Sequence, residues 1–216
     1  MRITSLQPQA TNPDRINVFV DDQFLLGVST LVVVNLGLKI GQELTNDQIT
    51  QLQQEEARQQ AVERALNYLS FRPRSREEVR RYLKRKETPP EIIDAVLVRL
   101  DALELINDQS FTEFWIDARE RSSPKGAQAI KHELRQKGVK REVIDEMVTD
   151  EQDEELALRA AEKKAISLIR QPDIDYKTFY NRLGSFLQRR GFSYEIVKKV
   201  VKALWEELKQ EPTEEE

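Results

Sequence analysis

Two hydrophobic patterns divide this chain. Up to about residue 45, short apolar runs flank polar turns; from about residue 59, apolar positions recur three and four apart, as on one face of an α-helix. In the first region "RINVFV" and "FLLGV" surround Asp21-Asp22-Gln23, which predicts a β-hairpin. Ser29 is placed to cap a short helix, "TLVVVNLG", that Gly37 closes, and "LKIGQEL" predicts one more short strand. Thr45 and Gln48 have the spacing of a capping box and open a long helix.

The helical region repeats. Leu83, Leu134 and Leu187 align without a gap, at spacings of 51 and 53 residues. Four residues earlier stand Val79, Ile130 and Leu183. Downstream, Ile92, Ile93 and Val96 match Val143, Ile144 and Met147, and then Ile196, Val197 and Val200. Four residues after the reference leucine come Glu87, Gly138 and Gly191, the place where a helix commonly ends on a glycine. Each unit predicts three helices, the third beginning near Pro90, Arg141 or Tyr194. Thr88 with Pro89 and Pro90, and Ser193, are expected caps; Ser75 with Glu78 and Ser110 with Glu113 have capping-box spacing. The expected fold is therefore mainly α: three tandem three-helix repeats in an elongated array, preceded by a small N-terminal head containing a β-hairpin. The expected segments are a head at 1–55, repeats at 56–108, 109–155 and 156–211, and an acidic tail at 212–216.

Composition narrows the chemistry. Charged residues make up 33 % of 216, and there is no cysteine, which excludes thiolate nucleophiles and thiolate zinc sites. No apolar run approaches the roughly 20 residues that span a bilayer, and no leader pattern opens the sequence, so a cytoplasmic protein without membrane contact is expected. His132 is the only histidine, and it has no ligand-spaced neighbour. The acids of "DEQDEE" at 150–155 lack the periodicity of a calcium loop and read as a solvated linker or helix end. There is no Gly-rich phosphate loop. The residues offer no enzyme, and no cofactor or metal site.

Charge is segregated. The net charge is −4, yet residues 72–86 sum to +6 and 125–141 to +5, while 142–155 sum to −8. The cations gather on the second helix of each unit, and "RRYLKRK" holds no acid to pair with them. Lys86, Lys137 and Arg190 occupy one repeat position; Lys84 and Arg135 share another, broken by Gln188; Arg80 and Lys131 share a third, broken by Gly184. A repeated cationic stripe suits a long, regular, anionic partner, either a nucleic-acid backbone or a protein filament. Aromatic side chains would favour single-stranded nucleic acid, but Phe71, Phe111, Phe114, Trp115, Phe186 and Phe192 have helical spacing and apolar neighbours and are expected in the core. Trp205 is expected to close the last helix.

"ALNYLSFRPRSREEVRRYLKRK", "LINDQSFTEFWIDARER" and "KGAQAIKHELRQKGV" resemble the RecX family of bacterial regulatory proteins. The resemblance spans about residues 57–208 and rests most on Arg74-Ser75 with Glu78 and Leu83, on Asn107-Asp108 to Phe111, and on Gly126, Leu134 and Gly138. Residues 1–55 resemble the extension carried by longer members. Glu87 departs from the family's usual glycine, and the third unit is divergent. The resemblance implies a non-enzymatic modulator, mostly an inhibitor, of the RecA recombinase, bound to its filament on single-stranded DNA and affecting ATPase, strand exchange and coprotease activity. It also implies roles in DNA repair, recombination and the SOS response, and a monomer. The candidate contacts are Arg72, Arg74, Arg80, Arg81, Lys84, Arg85, Lys86, Lys125, Lys131, Arg135, Lys137, Arg189 and Arg190. Two alternatives stand beside this reading. One is a module that binds single- or double-stranded DNA directly and competes with recombinase for the strand; the other is a helical adaptor using the acidic segment 142–155.

Overall fold

The head is a three-stranded antiparallel sheet in the order β1 (Ile3–Pro8), β2 (Arg15–Val20), β3 (Gln23–Ser29). These come from a computed structural model that describes residues 1–210, so the expected acidic tail lies outside the described residues. The hairpin turns at Asp21 and Asp22, both left-handed at φ 47° and 62°, which is the geometry that matches the twist of paired strands. The pattern missed β1 because the register slips between Ile3 and Ser5, and this breaks the two-residue alternation. The strand expected in "LKIGQEL" does not form. The segment bonds to the free edge of β1 (Gly41 N to Ile3 O 2.8 Å, Ile3 N to Gln42 O 2.9 Å), but a turn from Lys39 to Gln42, with Gly41 at φ 88°, leaves only an isolated bridge between Arg2 and Glu43.

Ser29 caps α1 (Thr30–Leu36), which ends on left-handed Gly37, and Thr45 with Gln48 makes the expected reciprocal cap of α2 (Asn46–Leu69). The head core comprises Ile3, Val18, Val20, Val28, Val32, Leu38, Leu44 and Leu52. One acid lies beneath it: Glu56 of α2, its side chain 5 % exposed, pairs with Arg15 at 2.7 Å and accepts the Ser29 backbone N–H at 2.8 Å.

The helices follow in triplets: α2 with α3 (Arg76–Arg85) and α4 (Pro90–Ala102); α5 (Asp108–Ser122), α6 (Ala127–Gln136) and α7 (Arg141–Met147); α8 (Asp153–Ile169), α9 (Tyr176–Arg189) and α10 (Tyr194–Gln210). Each triplet has its own core, and the reference leucines Leu83, Leu134 and Leu187 are wholly buried in it. Glu87, Gly138 and Gly191 all adopt the left-handed conformation, at φ 58°, 77° and 83°, so the second helix ends in the same way three times. Glu87 does so without being a glycine.

Two expected caps differ. α5 begins at Asp108, capped by Asn107, whose side chain accepts from the Gln109 and Ser110 N–H groups; Ser110 is inside the helix. Thr88 does not cap α4: Pro89 occupies the cap position with no side-chain bond, and the buried Thr88 hydroxyl has no partner among the described residues. The prolines alone set that helix start, through their fixed φ. Ser193 caps α10 as expected, at 3.4 Å to the Ile196 N–H. Compact contacts divide the chain into two units, Met1–Arg74 with Glu78–Ile106, and Ser75–Glu77 with Asn107 onward.

Candidate partner-binding surface

The second helices carry their cations in columns, and the columns differ in what they touch. Three residues before the reference leucine, Arg80 pairs with Asp94 of α4 at 2.7 Å, and Lys131 pairs with Asp145 of α7 at 3.3 Å. Arg141 joins Asp145 at 3.2 Å; bonds first from Arg141 and then from Lys131 hold that carboxyl below its usual range. The acids that "RRYLKRK" lacks are thus supplied by the third helix, at matching repeat positions. The last repeat has Gly184 and Lys198 there and forms no such pair.

Three residues after the leucine, each cation lies over an aromatic ring: Lys86 over Tyr82 at 6.0 Å, Lys137 over Trp115 at 4.9 Å, and Arg190 over Phe186 at 4.6 Å. Arg190 also donates to the Pro124 carbonyl at 3.0 Å. Contacts of this kind add about 0.5–1 kcal/mol each at exposed sites, and they occupy the faces of Trp115 and Phe186.

Other candidates are also engaged within the fold. Arg72 grips Glu78 with both terminal nitrogens, at 2.9 and 3.1 Å, and Arg74 lies 4.0 Å over the Tyr68 ring, which stacks on Tyr82. Lys125 is bound to Glu133, which the sequence pattern did not single out. Glu133 also accepts from Arg119 at 2.7 Å and from the Trp115 indole at 2.8 Å. Burial pushes the Glu133 carboxyl upward, but the three donors outweigh it and hold it below its ordinary 4.5. A carboxylate so depressed stabilises the fold above about pH 4.5, and the contribution is lost as the pH falls through its folded value. Glu133→Gln is therefore expected to cost about 1–3 kcal/mol at pH 7, with the difference shrinking as the pH falls below 4.5; urea midpoints measured at neutral and at acidic pH check this.

What remains is a smaller set. Lys84, Arg85, Arg135 and Arg189 are exposed and have no hydrogen bond or ion pair among the described residues. They sit one or two residues after the reference leucine, in the last turn of a second helix, where cations oppose the negative end of the helix dipole. Arg81 is exposed too, but has a partner within the chain.

The aromatics do not all enter the core as expected. Phe111 and Phe192 are buried and Phe114, Trp115, Phe186 and Trp205 half-buried, but Phe71, in the turn between α2 and α3, is 83 % exposed. Its turn is short and fixed by Arg72 and Arg74, and this leaves the ring outside. The acidic run also differs from a solvated linker at one residue: Asp153 opens α8 and is 4 % exposed. His132 is exposed, 2.9 Å from Gln136. Among the described residues no group of three or more His, Asp or Glu side chains is arranged to hold a metal ion, and no helix is long and apolar enough to cross a membrane.

Known proteins share this order of domains. Models of the RecX N-terminal domain and of its first, second and third three-helix domains match residues 1–45, 61–100, 107–148 and 150–201. The regulatory protein RecX of Bacillus pumilus is 32 % identical over 214 residues, 99 % of this chain and 81 % of the relative; that of Bacillus subtilis is 32 % identical over 195 residues, 90 % and 74 %. A crystal structure of regulatory protein RecX superposes with a TM-score of 0.73 at 26 % identity, covering 93 % of this chain and 98 % of the other. RecX from Lactobacillus salivarius superposes at 0.60 with 28 % identity, over 69 % and 97 %. With four domains matched in order and a relative aligned along nearly the whole of this chain, the chain belongs to the RecX family of regulatory proteins.

Proposed function

We propose that this protein is a non-enzymatic regulator of the RecA recombinase that binds the recombinase filament on single-stranded DNA and lowers its ATPase, strand-exchange and coprotease activities. The contact is made by Lys84, Arg85, Arg135 and Arg189, flanked by the paired or ring-stacked cations of the same helices. The observation that carries this reading is the repetition: each second helix ends with one or two exposed cations that no acid among the described residues neutralises. A filament presents the same surface many times, so several weak contacts add through effective concentration. The protein acts as a monomer in the cytoplasm and needs no cofactor.

Exposed Phe71 favours a second reading, in which the chain competes for the strand by stacking on bases. One titration separates the two. ATP hydrolysis by RecA on single-stranded DNA is measured against this protein, with binding of the protein alone to the same DNA followed by anisotropy. Hydrolysis that falls before the DNA is occupied supports action on the filament. A fall that tracks DNA saturation, weakening steeply with salt, supports competition for the strand. No fall at any ratio overturns both.

A further inference from the structure

The second unit uses one bonding pattern twice. At the start of α3, the Arg76 N–H donates to the Asp108 carboxylate at 3.2 Å, and the Ser75 hydroxyl donates to the Lys137 carbonyl at 2.6 Å. At the start of α6, the Ala127 N–H donates to both oxygens of Asp153, at 3.0 and 3.1 Å, and the Gly126 N–H donates to the Arg190 carbonyl at 2.9 Å. In both places the aspartate is the first residue of the next repeat's first helix, and the carbonyl ends the next repeat's second helix. In both, a left-handed glycine lies against the helix start. A Cβ on Gly138 would stand 2.4 Å from the Glu77 Cβ, and one on Gly191 2.5 Å from the Ala129 nitrogen.

We propose that Asp153 is a positioning residue whose carboxyl group sets α6 against α8 and α9, and so fixes Arg135 relative to Arg189, with a hold that strengthens as the solution becomes more acidic. The geometry gives both halves. Among the described residues Asp153 is the only side chain bonded to the first N–H of α6, and the Gly126–Arg190 bond places the end of α9 at the same point. Among the described residues no cation is bonded to it, and Lys199 of α10 is paired with the neighbouring Glu154. From α5, Arg119 is bound to Glu133 and Glu120 is an acid; Lys125, before α6, is bound to Glu133. On α6, Lys131 is paired with Asp145 of α7, and Asp150 and Glu151 precede α8. Burial raises Asp153 to about 6 against the Ala127 bond, and the charge of Asp150 adds to the rise.

A carboxyl raised in the closed joint binds its proton more tightly there than when the joint opens, so protonation favours closure and ionisation favours opening. From an open-state value of 3.8 and a closed value of about 6, the opening constant rises about tenfold between pH 5 and pH 7. Amide exchange of the full-length protein reads this directly: the Ala127 protection factor is expected to fall about tenfold over that interval. Asp153→Asn keeps an acceptor for the N–H and does not titrate, so its protection is expected to be flat with pH. Gly126→Ala places a Cβ 2.4 Å from the Gly191 oxygen and is expected to lower protection at every pH while keeping the wild-type slope.

A wild-type slope that persists in Asp153→Asn, or a flat wild-type profile, overturns the assignment. The consequence for Arg135 and Arg189 rests on the function proposed above. Filament affinity of Asp153→Asn relative to wild type is expected to rise from pH 6 to pH 8, and a constant ratio overturns that part. Failure of the wild-type protein to bind filament overturns the proposed function instead, and leaves the exchange result standing.

Discussion

Reversing Lys84, Arg85, Arg135 and Arg189 together to glutamate is expected to weaken binding to the recombinase filament by on the order of 10³-fold at low salt. Each reversal removes an attraction and installs a repulsion, and misplaced like charges across an interface cost several kcal/mol. The loss should shrink as added salt shortens the screening length to about 8 Å at 0.15 M. Each acid placed at the negative end of a helix should cost about 0.3–1 kcal/mol of stability, so the variant is expected to melt at a lower temperature while remaining folded at the temperature of the binding assay. Equilibrium binding of labelled protein to preformed filament, with a thermal melt as control, is the measurement; affinity within threefold of wild type removes these side chains from the interface. Arg80 and Lys131 would make a poorer test despite their central position in the cationic stripe. Reversing either sets an acid against Asp94 or Asp145, so a loss of binding would be confounded with a rearranged helix pair.

The largest stability effect is expected in the head, from Glu56→Ala. The carboxylate bonds Arg15, the Ser29 N–H and Gln60, and among the described residues no other acid pairs with Arg15. Removing one member of a buried ion pair costs about 3–5 kcal/mol, because the remaining charge and the orphaned N–H stay desolvated. Both tryptophans, Trp115 and Trp205, lie in the second unit, so their fluorescence should remain native while amides of β2 and β3 lose protection. Retained protection in the strands would show that Arg15 and Ser29 find other partners.

How much of this was legible in the sequence depended on whether a feature is local. Ser29, Gly37, Thr45 and Ser193 act on backbone within a few residues, and their roles followed from spacing. The reference leucines and the shared left-handed position at Glu87, Gly138 and Gly191 followed from repetition, which averages out local noise. The cationic surface was legible as a set of residues but not as a set of contacts. Whether Arg80 meets Asp94, or Lys125 meets Glu133, depends on the packing of separate helices, and no pattern along one helix encodes it. One signal was available and unused: Asp94 and Asp145 stand 51 residues apart, the interval that separates Arg80 from Lys131. Phe71 was misplaced because helical spacing continues across the turn that ends α2. Asp153 was misplaced because four other acids in the same six-residue run hid the one that burial selects.

The left-handed residue after each second helix also bears on how such a chain can lengthen. Gly138 and Gly191 each press against the start of a preceding repeat's second helix, at distances that leave no room for a side chain. Glu87 holds the same backbone conformation, at a cost of roughly 1–2 kcal/mol for a residue with a Cβ, yet carries the side chain the other two positions forbid. A unit inserted ahead of the first and docked as the later ones are would bring its helix start against the Glu87 Cβ, at a position where Gly138 and Gly191 present only a hydrogen. Growth on that side would work against a side chain that the two later joints do not carry.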